Sequence, residues 1–139
     1  MPIADIARSS VVTANPDASA AELAERLESN NVGSVVITEG TTPVGIVTDR
    51  DLALTMVGDG ADPSSIVARD VMSEDLITAE ASEGAFDLCS TMCDNAVRRM
   101  PIVDDGELVG IVTLDDMLQL LADELQHLST VVARESPPY

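Results

Sequence analysis

Apolar positions along this chain change period several times, and each change marks an element. From Ala18 to Asn30, Ala20, Leu23, Ala24 and Leu27 recur at helical spacing, the stripe of an amphipathic helix with Asp17 or Ser19 as its cap. The period then shortens: Ser34–Thr38 and Val44–Thr48 are short runs rich in Val, Ile and Thr around the turn EGTTP, which predicts two strands. A closing helix is predicted from Asp49 to about Val57. Ahead of these elements, Ile3–Ala7 reads as a short Asp-containing turn and Val11-Val12 as a brief strand.

The same succession is written twice. Gly45-Ile46-Val47-Thr48 recurs as Gly110-Ile111-Val112-Thr113, 65 positions on. Without a gap, that offset also relates Asp5 to Asp70, Thr13-Ala14 to Thr78-Ala79, Leu23 to Leu88 and Asn30 to Asn95. It continues through Val32 and Val97, Ile37 and Ile102, Val44 and Val109, and Asp51 and Asp116. Register held over that length means a duplication, and a duplication sets the architecture. The second copy reads as a turn at Ala68–Met72, a strand at Leu76-Ile77 and a helix from about Glu83 to Asn95. Ser82 stands where the cap of that helix belongs, and Phe86, Leu88, Cys89 and Met92 form its apolar stripe. Strands Arg99–Val103 and Leu108–Thr113 then flank DDGE, and a helix runs from Leu114 to about His127. The linker GDGADPS separates repeat 1 (residues 1–60) from repeat 2 (61–128), and 129–139, ending SPPY, is expected to be a flexible tail. Each β-α-β-β-α half has too few strands to bury its own sheet face. The fold is therefore expected to be α/β, more loosely α+β: two gapless repeats packed with pseudo-two-fold symmetry and a cleft along their seam.

Composition narrows the function. Twenty-five acidic residues oppose seven basic ones, giving a net charge of −18, and every basic residue is Arg. Such a surface repels phosphate backbones and anionic headgroups, so neither nucleic acid nor membrane is an expected partner. Acidity without Lys suits a halophilic cytoplasm, where the Debye length falls to ~3 Å at 1 M salt; an ordinary acidic protein is the plainer alternative. MPIADIARSS lacks a basic region followed by an apolar stretch, so no signal peptide is expected and the location is read as cytoplasmic. Cys89 and Cys93 share a helix face at a spacing that does not suit a disulfide, and His127 is distant in sequence. Buried free thiols are expected, with no metal site.

The motif Gly-h-h-Thr-x-x-Asp-h (h, apolar) ends each copy's last strand, as VGIVTDRDL and as VGIVTLDDM, preceded by VGSVVIT and VRRMPIVD. In these residues the chain resembles a tandem pair of CBS domains, a Bateman module, from about Ile3 to Leu121. The acidic surface and SPPY ending are similar to stand-alone CBS-pair proteins of haloarchaea. The resemblance implies an adenosine-containing ligand (AMP, ADP, ATP or S-adenosylmethionine) between the repeats, no required cofactor, and a regulatory rather than catalytic role. It implies a first site of Val11, Val12, Val32, Gly33, Ser34, Thr48 and Asp51, and a second, weaker one of Leu76, Ile77, Val97, Thr113 and Asp116. Physically, a carboxylate at the mouth of a helix can accept a ribose diol, and a Thr hydroxyl with free helix N–H groups suits sugar or phosphate oxygens. The competing reading makes Thr48 and Thr113 N-caps and Asp51 and Asp116 their capping-box partners, worth ~1 kcal/mol per cap.

Arg98 and Arg99 separate the two sites. They answer Asp104 and Asp105 on an edge strand, or they fall where the resemblance places a basic pair on the phosphates of the other copy's ligand. Their counterparts, Gly33 and Ser34, are uncharged, so both guanidiniums are assigned to the first site. Arg50 either adds a third charge or bridges to Asp49 or Asp59. A phosphate-capable first site is expected, with a second that is empty or takes an uncharged adenosine tail. A homodimer through the closing helices is expected from Leu52, Ala53, Leu54 and Met56 and from Leu118, Leu120, Leu121 and Leu125. Output would pass in trans to an unidentified protein target; a ligand-free interaction or dimerisation scaffold is the alternative. No P-loop, nucleotide-binding glycine fingerprint or nucleophile–base pair supports an enzyme.

Overall fold

The computed structural model describes residues 1–136. In each repeat a short strand, a helix and a β-hairpin are followed by a closing helix. Repeat 1 comprises β1 (Thr13–Ala14), α1 (Ala20–Asn30), β2 (Ser34–Glu39), β3 (Thr42–Thr48) and α2 (Asp49–Ala53), which runs on as a π turn over Leu54–Gly58. A one-turn helix, α3 (Ala68–Val71), leads into β4 (Ala79–Glu80), α4 (Ala85–Asn95), β5 (Arg99–Asp104), β6 (Glu107–Thr113) and α5 (Leu114–Glu135). The sheets are β1-β2-β3 and β4-β5-β6, each with one parallel and one antiparallel pairing. This is the two-repeat mixed architecture expected from the duplication.

Several boundaries differ from expectation. Strand pairing begins at Thr13 and Ala79, so Val11-Val12 and Leu76-Ile77 lead into the short strands without forming them. Ser19 caps α1 through its side chain, but α4 starts after Gly84, which offers none, and Ser82 lies outside the helix. Both helices end on a left-handed residue, Asn31 and Ala96, and Ala96 takes that conformation against its Cβ. The segment expected as a flexible tail is helical to Glu135, because Leu128, Val131 and Val132 prolong the apolar stripe and no proline interrupts it. Pro137, Pro138 and Tyr139 lie outside the described residues.

The cores show how the repeats depend on each other. Ile3, in a 3₁₀ turn ahead of repeat 1, is fully buried in the core of repeat 2 with Leu88, Met100, Ile102 and Val112. Ala68, its counterpart, is buried in the core of repeat 1 with Leu23, Val35, Ile37 and Val47. The backbone ties are equally symmetric: Ile3 N–H donates to Glu83 at 2.8 Å, and Ala68 N–H to Ala18 at 2.8 Å. Each opening segment therefore completes the other repeat. This crossover also explains the motif glycines. A Cβ on Gly110 would lie 3.0 Å from both the Ala7 Cβ and the Arg8 carbonyl oxygen, and one on Gly45 would lie 2.6 Å from the Met72 sulfur. The crossing chain needs that space.

Not every apolar residue sits where its stripe suggested. Ala20, Leu23 and Leu27 are buried in α1 while Ala24 is exposed. In α4, Ala85, Leu88 and Met92 are buried, but Phe86 is 79% exposed. Cys89 is half-buried against the second core and Cys93 exposed, so neither thiol is fully buried as expected. Leu52 is buried in the first core, Met56 packs against it, and Leu120 packs against the second. Of the residues expected at a dimer contact only Leu52 is fully buried; Met56 and Leu120 are half-buried, and Ala53, Leu54, Leu118, Leu121 and Leu125 are exposed.

Candidate functional site

A cavity of about 260 Å³ lies between the repeats. Its floor on the repeat 1 side is Val11, Val12 and Val36, from the lead into β1 and from β2, joined by Asn31–Ser34 after the α1 cap. Repeat 2 supplies Arg98, Arg99, Ile111, Thr113, Leu114 and Asp115, and Arg8 and Ser10 come from the crossing N-terminal segment. The chain enters the cavity at Val32–Ser34 because the left-handed Asn31 turns it sharply from α1 into β2. Ala96 does the same ahead of Val97–Arg99.

Arg99 reaches across the seam. Its Nη2 lies 2.7 Å from where a Cβ on Gly33 would stand, and the Asp49 carboxylate is 3.7 Å from the same point. The absence of a side chain at Gly33 is thus what admits the guanidinium. Arg99 is half-buried and Arg98 exposed. Among the described residues neither pairs with Asp104 or Asp105, and Arg50 forms no ion pair with Asp49 or Asp59. Three of the seven arginines in a chain of net charge −18 therefore converge on one small apolar-floored space.

Both Thr-x-x-Asp motifs form full capping boxes. Asp51 N–H donates to the Thr48 hydroxyl at 3.1 Å, and Thr48 N–H to Asp51 Oδ2 at 2.9 Å. The second box is the same within 0.1 Å, with Asp116 N–H to Thr113 at 3.2 Å and Thr113 N–H to Asp116 Oδ2 at 3.0 Å. Each carboxylate thus spends one oxygen on its helix and keeps Oδ1. Among the described residues nothing donates to Oδ1 of Asp51. Oδ1 of Asp116 accepts from Arg8 Nε at 3.0 Å and Nη2 at 2.6 Å. Burial pushes the Asp116 carboxyl up, but Arg8 and Thr113 together outweigh it and hold the group below the ordinary carboxylate value.

The grouping of site residues differs from expectation. Val11, Val12, Val32, Gly33 and Ser34 share their cavity with Thr113, not with Thr48 and Asp51, and Arg98 and Arg99 line that same cavity. The crossover is the reason. Arg8 bridges to Ile111, so the lead into β1 runs beside β6 of the other repeat, and Ser73 likewise bridges to Ile46. Leu76 and Ile77, three and four residues past Ser73, are half-buried. Ile77 and Val97 also pack against the second core. The basic pair expected beside Thr48 and Asp51 thus lines the cavity that holds Thr113, together with Arg8. Sequence reasoning missed Arg8, Asn31 and Asp115. The one available signal for Arg8 was its rarity as a cation, with Ser73 as its counterpart.

Two mutually completing β-α-β-β-α repeats around an inter-repeat cavity define a paired-repeat class of fold. The CBS domain profile matches residues 3–58 and 68–123, and the chain belongs to the CBS domain family. It is 42% identical over 120 residues to an uncharacterised protein of Methanopyrus kandleri, covering 85% of this chain and 61% of that protein. The chain thus spans under two thirds of that relative's length. Among solved structures, a CBS domain pair in complex with 5′-methylthioadenosine and S-adenosyl-L-methionine superposes with a TM-score of 0.80 at 26% identity, covering 89% of this chain and 98% of that one. A CBS domain protein of Pyrobaculum aerophilum complexed with AMP gives 0.77 at 25% identity, covering 88% and 99%. Among the described residues no helix is long and apolar enough to cross a membrane, and no cluster of three or more potential metal ligands occurs.

Proposed function

We propose that this chain is a regulatory sensor that binds a phosphorylated adenosine ligand in the cavity between its repeats and acts in trans on a protein partner, without catalysing a reaction. The observation that carries the reading is the convergence of Arg8, Arg98 and Arg99 on one apolar-floored cavity of a strongly acidic chain. The valines offer a face for a flat base, Asp116 an acceptor for a diol, and the guanidiniums a complement to phosphate. The solved CBS pairs named above bind adenosine compounds, which supports the ligand class. A cationic sulfonium beside three guanidiniums is unfavourable, so AMP, ADP or ATP suits this cavity better than S-adenosylmethionine.

A ligand that binds only the folded chain must stabilise it. At 100 times its dissociation constant the gain is ~2.7 kcal/mol, several degrees in melting temperature. A thermal melt in high salt should therefore rise with ATP. A curve unmoved by AMP, ADP and ATP alike would leave the scaffold reading in its place. A specific observation favours assembly in either case: Leu118, Leu121, Leu125, Leu128 and Val132 repeat at alternating three- and four-residue spacing on α5, and all are exposed. That is the a/d seam of a coiled coil, and a second copy of the chain supplies a matching one.

A further inference from the structure

An ion pair with Arg8 fills the free oxygen of Asp116. Arg8 is held at the cavity by its backbone, whose N–H donates to Ile111 at 2.9 Å and whose carbonyl accepts from the Ile111 N–H at 3.0 Å. From that anchor its guanidinium places two donors on the single oxygen that the capping box leaves available. A ribose diol would present two hydroxyl donors to the same oxygen. Ser73 has the equivalent backbone position in the other half, with its N–H on the Ile46 carbonyl at 3.1 Å, and no side chain able to reach Asp51 as an ion. One of the two Thr-Asp carboxylates is paired with an internal cation and, among the described residues, the other is not.

We propose that Arg8 is a phosphate-operated latch: its guanidinium occupies the ribose-accepting oxygen of Asp116 and yields it to ligands whose phosphate takes the guanidinium over. The proposal rests on the nucleotide reading above. The Arg8 side chain is 65% exposed and that of Asp116 15%, so the pair is solvent-screened and exchangeable. With a nucleotide, Asp116 passes from guanidinium to ribose and Arg8 passes from carboxylate to phosphate, and both charges stay matched. With adenosine, Asp116 gains the diol but Arg8 is left without an anion. The latch therefore discriminates nucleotide from nucleoside at a place that Arg98 and Arg99 do not touch.

Titration of the wild-type chain and of Arg8→Gln and Arg8→Ala with adenosine and with ATP tests it. Arg8→Gln keeps the length of the side chain and both backbone bonds, so it carries the test even if Arg8→Ala is poorly folded. Removing the competing cation should tighten adenosine about three- to tenfold, while ATP weakens by a similar factor for want of a phosphate partner. The preference for ATP over adenosine should thus fall by about tenfold or more. If wild type binds ATP and both variants keep the wild-type ratio, or bind adenosine more weakly, the latch is overturned and the nucleotide reading stands. If wild type binds neither compound, the nucleotide reading fails and the latch fails with it.

Discussion

Asp116 serves as a capping residue and as an ion-pair partner at once, and the two roles have separate signatures in pH. Its carboxyl is held below the usual value of 3.8 in the folded chain. A group so depressed stabilises the fold above its unfolded value, and the stabilisation is lost as pH falls through the folded one. Urea denaturation should therefore show Asp116→Asn less stable than wild type by a constant margin above about pH 5, with the gap closing below 3.8. Arg8→Gln should move the midpoint of that closure upward, since Arg8 is among the groups that hold the carboxyl down. A gap that persists unchanged at low pH would mean the loss is steric and not ionic. At this scale the sequence showed the Thr-x-x-Asp residues and the basic pair, because short spacing along the chain encodes them. Arg8 was illegible: its partner lies 108 positions away, and only the crossover brings them together.

Among the elements, the two helices and two hairpins of each repeat were readable because periodicity and turn residues are local properties. Asp105-Gly106, both at positive φ, form the hairpin turn that DDGE announced. The short strands were misplaced because each has a single parallel neighbour and no pattern of its own. The far end of α5 is hard to read because the polar, proline-ended terminus follows directly on its apolar stripe. That stripe carries the proposed assembly. Leu125 is 67% exposed at the centre of the seam, and its replacement should separate the copies without disturbing either core. Light scattering should give a dimer mass for the wild type and a monomer mass for Leu125→Glu, with unchanged circular dichroism. A wild-type monomer across a wide range of salt would remove the coiled-coil assignment.

For the whole molecule, the duplication fixes the architecture and the crossover fixes the site. Ile3 and Ala68, buried in each other's repeats, make the two halves one cooperative unit. The crossover also brings residues from opposite repeats to the cavity. A repeat offset records which residues are equivalent and says nothing of which are neighbours. For that reason the offset pairs the valine face with Asp51, whereas the structure sets it beside Thr113 and, through Arg8, Asp116. On the proposed reading this cavity takes an adenosine nucleotide by its phosphates. The most direct test is calorimetric titration of the wild-type chain and of an Arg98→Ala/Arg99→Ala double variant with adenosine, AMP, ADP and ATP. Affinity for the wild type should rise with each phosphate. Loss of charge-assisted bonds worth ~1.5–3 kcal/mol should weaken ATP by about one to two powers of ten in the variant and leave adenosine nearly unchanged. Binding of ATP by the double variant as tightly as by the wild type, or no binding of any of the four to the wild type, would contradict the account.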